Sequence, residues 1–171
     1  MVNESRRVPA LDPTAPKGVV KRSVEKLAKR RAVTWYLIHI GGRIDPILMR
    51  MSGGRVNTTG TNAVVVLKHV GRKSGAERQT PLVYFTHGDD VVLIASKGGA
   101  PEHPGWLHNL RANPEVELYV GKAGGKYRAR EAEGAEREKL WSLATQLNSG
   151  YDGYKERASN RQIPVVVCTP I

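Results

Sequence analysis

The run Gln79-Thr80-Pro81-Leu82-Val83-Tyr84-Phe85-Thr86, followed by His87-Gly88-Asp89-Asp90 and then Val91-Val92-Leu93-Ile94-Ala95-Ser96, decides the fold. Two β-branched and aromatic segments on either side of a Gly-Asp turn read as a β-hairpin. Working outward, Ala63–Val70 is a third run of the same kind. Glu115–Val120, Tyr127–Glu133 and Val165–Cys168 predict three more strands, the first two of these joined by a Gly-rich turn over Gly121 to Gly125. Pro104–Arg111 reads as a short helix with proline in its first turn and Asn113-Pro114 as its stop. Gly134–Leu147 has helical composition, and a second short helix holds Tyr151 and Tyr154. Six strands with helices between them, lacking regular βαβ alternation, predict an α+β barrel-like sheet rather than a doubly wound one.

The chain has 171 residues, enough for one domain with a full core and too few for two. Residues 1–18 carry Pro9, Pro13, Pro16 and Gly18 with little apolar content, and read as a flexible tail. From Val20 to Ile40, Val20, Val24, Leu27, Ala28, Trp35 and Ile38 recur at helical spacing between Lys21, Arg22, Lys26, Lys29, Arg30 and Arg31. That pattern is a basic amphipathic helix. It packs on its own domain with a solvated cationic face, or it lies on an anionic membrane surface as an interfacial helix. Pro46–Met51 predicts a further helical turn or two. The domain reading is therefore a tail over 1–18, a basic helical extension over 19–58 and a barrel over 59–171.

Formal net charge is +11, and all of the excess falls in residues 1–81. Such asymmetry points to an anionic partner: nucleic acid, a membrane surface or a polyanionic ligand. Nucleic acid is disfavoured, because Trp35 is the one aromatic in the basic segment 17–35 and no recognised binding module is present. A single cysteine, Cys168 in an apolar run, excludes an intramolecular disulfide and suits a reducing cytoplasm. The polar N-terminus predicts no signal peptide, and no apolar run reaches the ~20 residues of a spanning helix.

Two cation-rich, glycine-flanked turns identify where an anion binds. Gly71-Arg72-Lys73-Ser74-Gly75 leads into Arg78-Gln79-Thr80-Pro81, and Ser96-Lys97-Gly98-Gly99-Ala100-Pro101 follows the hairpin. Glycines let backbone amides approach a ligand, while Arg and Lys supply a forked donor and a compact charge. A P-loop is excluded, since no glycine stands five residues before Gly71, and no G-x-G-x-x-G follows a strand. His103 and His108 are five apart, which does not align them on one helical face, so no metal site is expected. No Gly-x-Ser-x-Gly elbow surrounds Ser74 or Ser96. The absence of an evident acid, base or nucleophile suits a chemistry supplied by a bound cofactor. Tyr151 and Tyr154 share one helical face, either as core packing or as a lid that donates a hydrogen bond or proton.

Over residues 60–170 the chain resembles the deazaflavin (F420)-dependent nitroreductases of actinobacteria, a branch of the split β-barrel flavin/deazaflavin oxidoreductases. The resemblance rests on Gly71–Gly75, Arg78–Tyr84, Ala95–Pro101, His103-Pro104, Trp106 with Asn109-Leu110 and Asn113-Pro114, Tyr151, Tyr154 and Ile163–Val167. It implies an FMN-binding-like split barrel holding coenzyme F420, whose phosphate and oligoglutamate tail would be the awaited anion. Arg72, Lys73, Ser74 and Arg78 would hold phosphate and tail. Gln79, Thr80, Pro81, Leu82 and Val83, then Ile94, Ala95, Ser96 and Lys97, would line the ring, with Gly105, Trp106, Asn109 and Tyr151 closing the pocket. Ser96, Tyr151 and Tyr154 would position the acceptor or relay a proton.

The activity so implied is hydride transfer from F420H2 to an electron-poor acceptor, a quinone first, in the cytoplasm or on the inner face of the plasma membrane, with residues 19–40 as the membrane contact. The alternatives are a non-catalytic F420 carrier and an FMN-dependent reductase on the same barrel. Lys68-His69-Val70, Val83 and Gly105 depart from the family pattern, which implies a reshaped acceptor pocket.

Overall fold

A computed structural model describes residues 7–14, 64–158 and 161–171. The expected basic amphipathic helix over 19–40, the turn at Pro46–Met51 and the extension 19–58 lie outside the described residues. Among those described, no helix is long and apolar enough to cross a membrane.

Six antiparallel strands close into a barrel. They are β1 (Val64–Val70), β2 (Glu77–His87), β3 (Asp90–Ile94), β4 (Glu115–Val120), β5 (Ala123–Glu131) and β6 (Val165–Pro170). The order around the barrel is β1-β2-β3-β6-β5-β4, with β4 pairing back to β1. Closure leaves no open sheet edge. Among the described residues three α-helices decorate it: α1 (Gly105–Ala112) between β3 and β4, then α2 (Gly134–Leu147) and α3 (Gly150–Arg157) between β5 and β6. The α+β split-barrel expectation is met.

Two apolar clusters explain which strands alternate and which do not. The interior collects Val65 and Leu67 of β1, Tyr84, Val91, Leu93, Leu118, Tyr127, Val166 and Cys168, and α1 adds Trp106, Leu107 and Leu110. On the outer face of β2, β3 and β6, Phe85, Val92, Ile94, Val165 and Val167 pack beneath Leu140, Trp141, Ala144 and Leu147 of α2 and Tyr151 of α3. Strands β3 and β6 are thus buried on both faces, and accordingly read as continuous apolar runs, Val91-Val92-Leu93-Ile94 and Val165-Val166-Val167. Burial pushes the Cys168 thiol up to about 12, which keeps it an inert core side chain.

Two expectations need correction. The Gly-rich stretch after β4 is strand rather than turn: β5 begins at Ala123, with Gly124 opposite Tyr119 and Gly125 opposite Leu118. The ladder continues through these glycines because they have no side chain to hold the strands apart, so the turn shrinks to Gly121-Lys122. Nor is the tail free throughout. Over residues 7–14, Val8 is buried in the interior cluster and its N–H donates to Tyr127 Oη at 3.0 Å. Leu11 N–H donates to Thr86 Oγ1 while Leu11 O accepts from Thr86 N–H, the Tyr84 hydroxyl donates to Pro9 O, and Arg7 pairs with Asp89. Proline-rich composition signals a chain that forms no helix; it does not prevent an extended segment from pairing with a barrel.

Candidate functional site

The tight link between β1 and β2 builds the first cationic turn. Val70 pairs with Glu77, so the six residues between them must reverse the chain, and Gly71 closes the reversal by exchanging backbone bonds with Gly75 and Ala76. A side chain on Gly71 would have to displace those of Ser74 and Arg78. A Cβ there would lie 2.7 Å from Ser74 Oγ and 3.0 Å from Arg78 Nε. The turn is folded tightly enough to bring Ser74 and Arg78 over its own backbone.

Beside it lies a cavity of about 350 Å³ lined by His69, Arg72, Lys73, Ser74, Arg78 and Thr80, with Trp106, His108 and Asn109 from α1 opposite. Helix α1 presents these residues because Leu107 and Leu110 anchor its other side in the barrel, where the buried part of Trp106 also packs. Three cations converge here with one aromatic wall. Arg72 and Lys73 are exposed at the rim of the cavity.

Under the cavity runs a buried polar chain. Arg72 N–H donates to Asn109 Oδ1 at 3.0 Å, Asn109 Nδ2 lies 3.1 Å from His69 Nδ1, and His69 Nε2 lies 3.1 Å from Thr80 Oγ1. His69 is 5% and Asn109 9% exposed, and each finds partners, as buried polar groups must. Desolvation, aided by the Arg78 charge, holds the His69 pKa below the ordinary histidine value.

The second cationic turn is held from behind. After Ser96 the chain makes a 3-10 turn over Lys97–Gly99, with Lys97 and Gly98 at positive φ. Gly99 has φ +82°, and a Cβ on it would meet Tyr154 O at 2.8 Å, so this turn presses directly on α3. Arg161 clamps it: Nε donates to Ala100 O at 2.9 Å, Nη2 to Ser96 O at 2.8 Å, and Nη1 to His103 Nδ1 at 3.1 Å. Arg157 adds a bond to Gly98 O. His103 is also held below the ordinary histidine pKa, first by desolvation and then by the Arg161 charge.

The cavity gathers eight of the residues singled out from sequence: Arg72, Lys73, Ser74, Arg78, Thr80, Gly105, Trp106 and Asn109. Gln79 faces a neighbouring groove with Lys68, Glu77 and Glu117. Pro81 is half-buried on β2, Leu82 packs against the interior cluster, and Val83 against the outer one. Ile94 and Ala95 are buried, and Ser96 and Lys97 form the clamped turn.

Tyr151 packs as core: it is 5% exposed, 6.2 Å from the Trp141 ring and 5.8 Å from that of Tyr154. Burial raises the pKa of both phenols, so each keeps its proton at neutral pH. Sequence reasoning missed His69, His108 and Arg161 as site residues. The Arg before Ile163-Pro164 was the visible signal for the last, but its acceptors lie about 60 residues away in sequence. Among the described residues no cluster of three or more potential metal ligands occurs.

A family model for F420H(2)-dependent quinone reductases matches residues 43–170. An F420H(2)-dependent quinone reductase of Mycobacterium tuberculosis is 36% identical over 143 residues, spanning 79% of this chain and 95% of the relative. The solved structure of an F420-H2 dependent reductase is 38% identical, with a TM-score of 0.57 over 61% of this chain and 92% of that one. A second solved chain, described as a domain-swapped dimer, is 33% identical with a TM-score of 0.58, covering 74% of this chain and 96% of its own.

Proposed function

As this chain belongs to the F420H(2)-dependent quinone reductase family, we propose that it is an oxidoreductase transferring a hydride from F420H2 to a quinone. The observation that carries the reading is the cavity in which Arg72, Lys73 and Arg78 meet the Gly71 turn, a Thr80 hydroxyl and the Trp106 wall. That donor set fits a cofactor with an anionic arm and a planar ring. The forked guanidiniums and the Lys73 ammonium match phosphate and carboxylate oxygens, and Trp106 offers an apolar face. A Cβ at Gly71 would fill the space that Ser74 and Arg78 occupy in the cradle.

When bound, the deazaflavin supplies a hydride at a ring carbon. What the protein adds is binding, orientation and exclusion of water. Arg72, Lys73, Ser74 and Arg78 hold the phosphate and tail carboxylates. Thr80 and Asn109 fix the polar edge, and Trp106 covers one side. The Ser96–Lys97 turn, which Arg161 clamps, would give the ring a second border. Tyr154, uncharged at neutral pH and with its backbone against Gly99 of that turn, would keep a proton for the reduced acceptor. For residues 19–40, the alternation of basic and apolar positions supports docking on an anionic membrane face, where lipid-soluble quinones reside; co-sedimentation with anionic vesicles tests that part separately.

Anaerobic oxidation of F420H2 by a panel of quinones tests the activity. Quinone-dependent loss of F420H2 absorbance is expected. Tight F420 binding without oxidation by any quinone would make the protein a carrier.

A further inference from the structure

The buried hydrogen-bond chain under the cavity has a direction, and one backbone amide sets it. Arg72 N–H can only donate, so the Asn109 atom 3.0 Å away is its oxygen, Oδ1. The Asn109 nitrogen then faces His69 Nδ1 at 3.1 Å, and since an amide NH2 only donates, Nδ1 must accept. An imidazole that accepts at Nδ1 and is neutral carries its proton on Nε2. That proton points at Thr80 Oγ1, 3.1 Å away, so the hydroxyl accepts and its own hydrogen is left for something in the cavity. Four donors stand head to tail, each polarising the next.

We propose that His69 is a positioning residue which, locked by Asn109 as the Nε2–H tautomer, turns the Thr80 hydroxyl hydrogen toward an acceptor oxygen of the cofactor held by Arg72, Lys73 and Arg78. This rests on the functional reading above. A proton added at Nδ1 would face the Asn109 NH2. Turning the amide to relieve that contact would set its NH2 against Arg72 N–H, so protonation costs one of the two Asn109 bonds whichever way the amide points: the one to His69, or the one that anchors the cationic turn.

The surroundings of the ring favour the neutral form. Arg78 stands directly opposite on β2, and Arg72, Lys73 and His108 line the cavity with it. On its other side Lys68, Glu77, Glu115, Glu117 and Lys126 line the adjoining groove, where Lys68 is already paired with Glu117. Desolvation acts in the same direction as Arg78.

The test combines a readout on the unaltered protein with a mutant cycle. Nitrogen-15 NMR of the His69 imidazole at neutral pH should show Nδ1 unprotonated and Nε2 protonated. Fluorescence titration with oxidised F420 should show Thr80→Val and His69→Asn each binding about tenfold more weakly, as expected for a lost hydrogen bond to a charged acceptor. Thr80→Ser, which keeps the hydroxyl, should bind like wild type. Because His69 acts through Thr80, the double variant should be no weaker than Thr80→Val alone.

Additive losses in the cycle, or the Nδ1–H tautomer in wild type, overturn the proposal. If His69→Asn fails to fold, the tautomer and the Thr80 pair of variants still decide. Wild-type protein with the expected tautomer but no affinity for F420 refutes the functional reading instead.

Discussion

Arg161→Lys keeps the charge of the clamp and removes its shape. In the native chain one guanidinium reaches Ala100 O at 2.9 Å, Ser96 O at 2.8 Å and His103 Nδ1 at 3.1 Å, with Ala95 O further off at 3.4 Å. A lysine ammonium is a compact donor on a flexible stem and cannot span that fork, so two of the three short bonds are lost. At ~1 kcal/mol net for each bond, the loss is about 2 kcal/mol. For a chain of this size that lowers Tm by roughly 4–8 °C. The local consequence is sharper. The 3-10 turn is closed by Gly99 N–H to Ser96 O and Ala100 N–H to Lys97 O. With the clamp weakened by that amount, these two amides should exchange with deuterium up to about 30-fold faster. Hydrogen exchange resolved at Gly99 and Ala100 is the assay. Exposed Arg128→Ala, which breaks only the surface pair with Glu115, is the control and should cost less than about 1 kcal/mol. Native exchange rates at Gly99 and Ala100 in Arg161→Lys would refute the reasoning.

Three other outcomes follow from the same geometry. Gly99→Ala must adopt φ +82° and place a methyl 2.8 Å from Tyr154 O, whereas Gly75→Ala adopts φ +67° in open space. Thermal melts should show about 1–2 kcal/mol lost for Gly75→Ala and a further ~1–3 kcal/mol for Gly99→Ala. The folded-state pKa values of His69 and His103 are both lowered, so the unfolded chain binds more protons between those values and the ordinary histidine pKa. Stability is therefore full above pH ~6.5 and declines as pH falls through the folded values. Denaturant midpoints measured across that range check the sign, and a midpoint that rises on acidification would contradict it. Tyr151→Phe should leave quinone-dependent oxidation of F420H2 unchanged, because the ring is packed against Trp141. A large fall in turnover would return that phenol to the chemistry.

The strands were legible wherever local pattern and tertiary burial agree. Val64–Val70 and Asp90–Ile94 are β-branched runs that the barrel buries, and their boundaries were read to within a residue or two at each end. At Gly124 and Gly125 composition pointed to a turn, and strand pairing with β4 overrode it. Docking of Val8 and Leu11 was invisible, because two isolated apolar residues among prolines carry no periodicity; only the Tyr127 hydroxyl and the Thr86 backbone reveal their destination. In the site, Arg72, Lys73 and Arg78 announced themselves as charge beside glycine. His69 did not, since its meaning depends on Asn109, 40 positions later on another element. Arg161 was hidden for the same reason, its acceptors lying 61 to 66 positions earlier.

The most direct test of the central claim is a titration of the intact protein with oxidised F420 at low and moderate salt, followed by cofactor fluorescence, with an Arg72→Ala/Lys73→Ala variant and an FMN titration alongside. Binding that weakens as salt rises, collapses in the variant and exceeds that of FMN is the result the cationic cavity predicts. Binding that ignores both salt and the variant, or a preference for FMN, would contradict it.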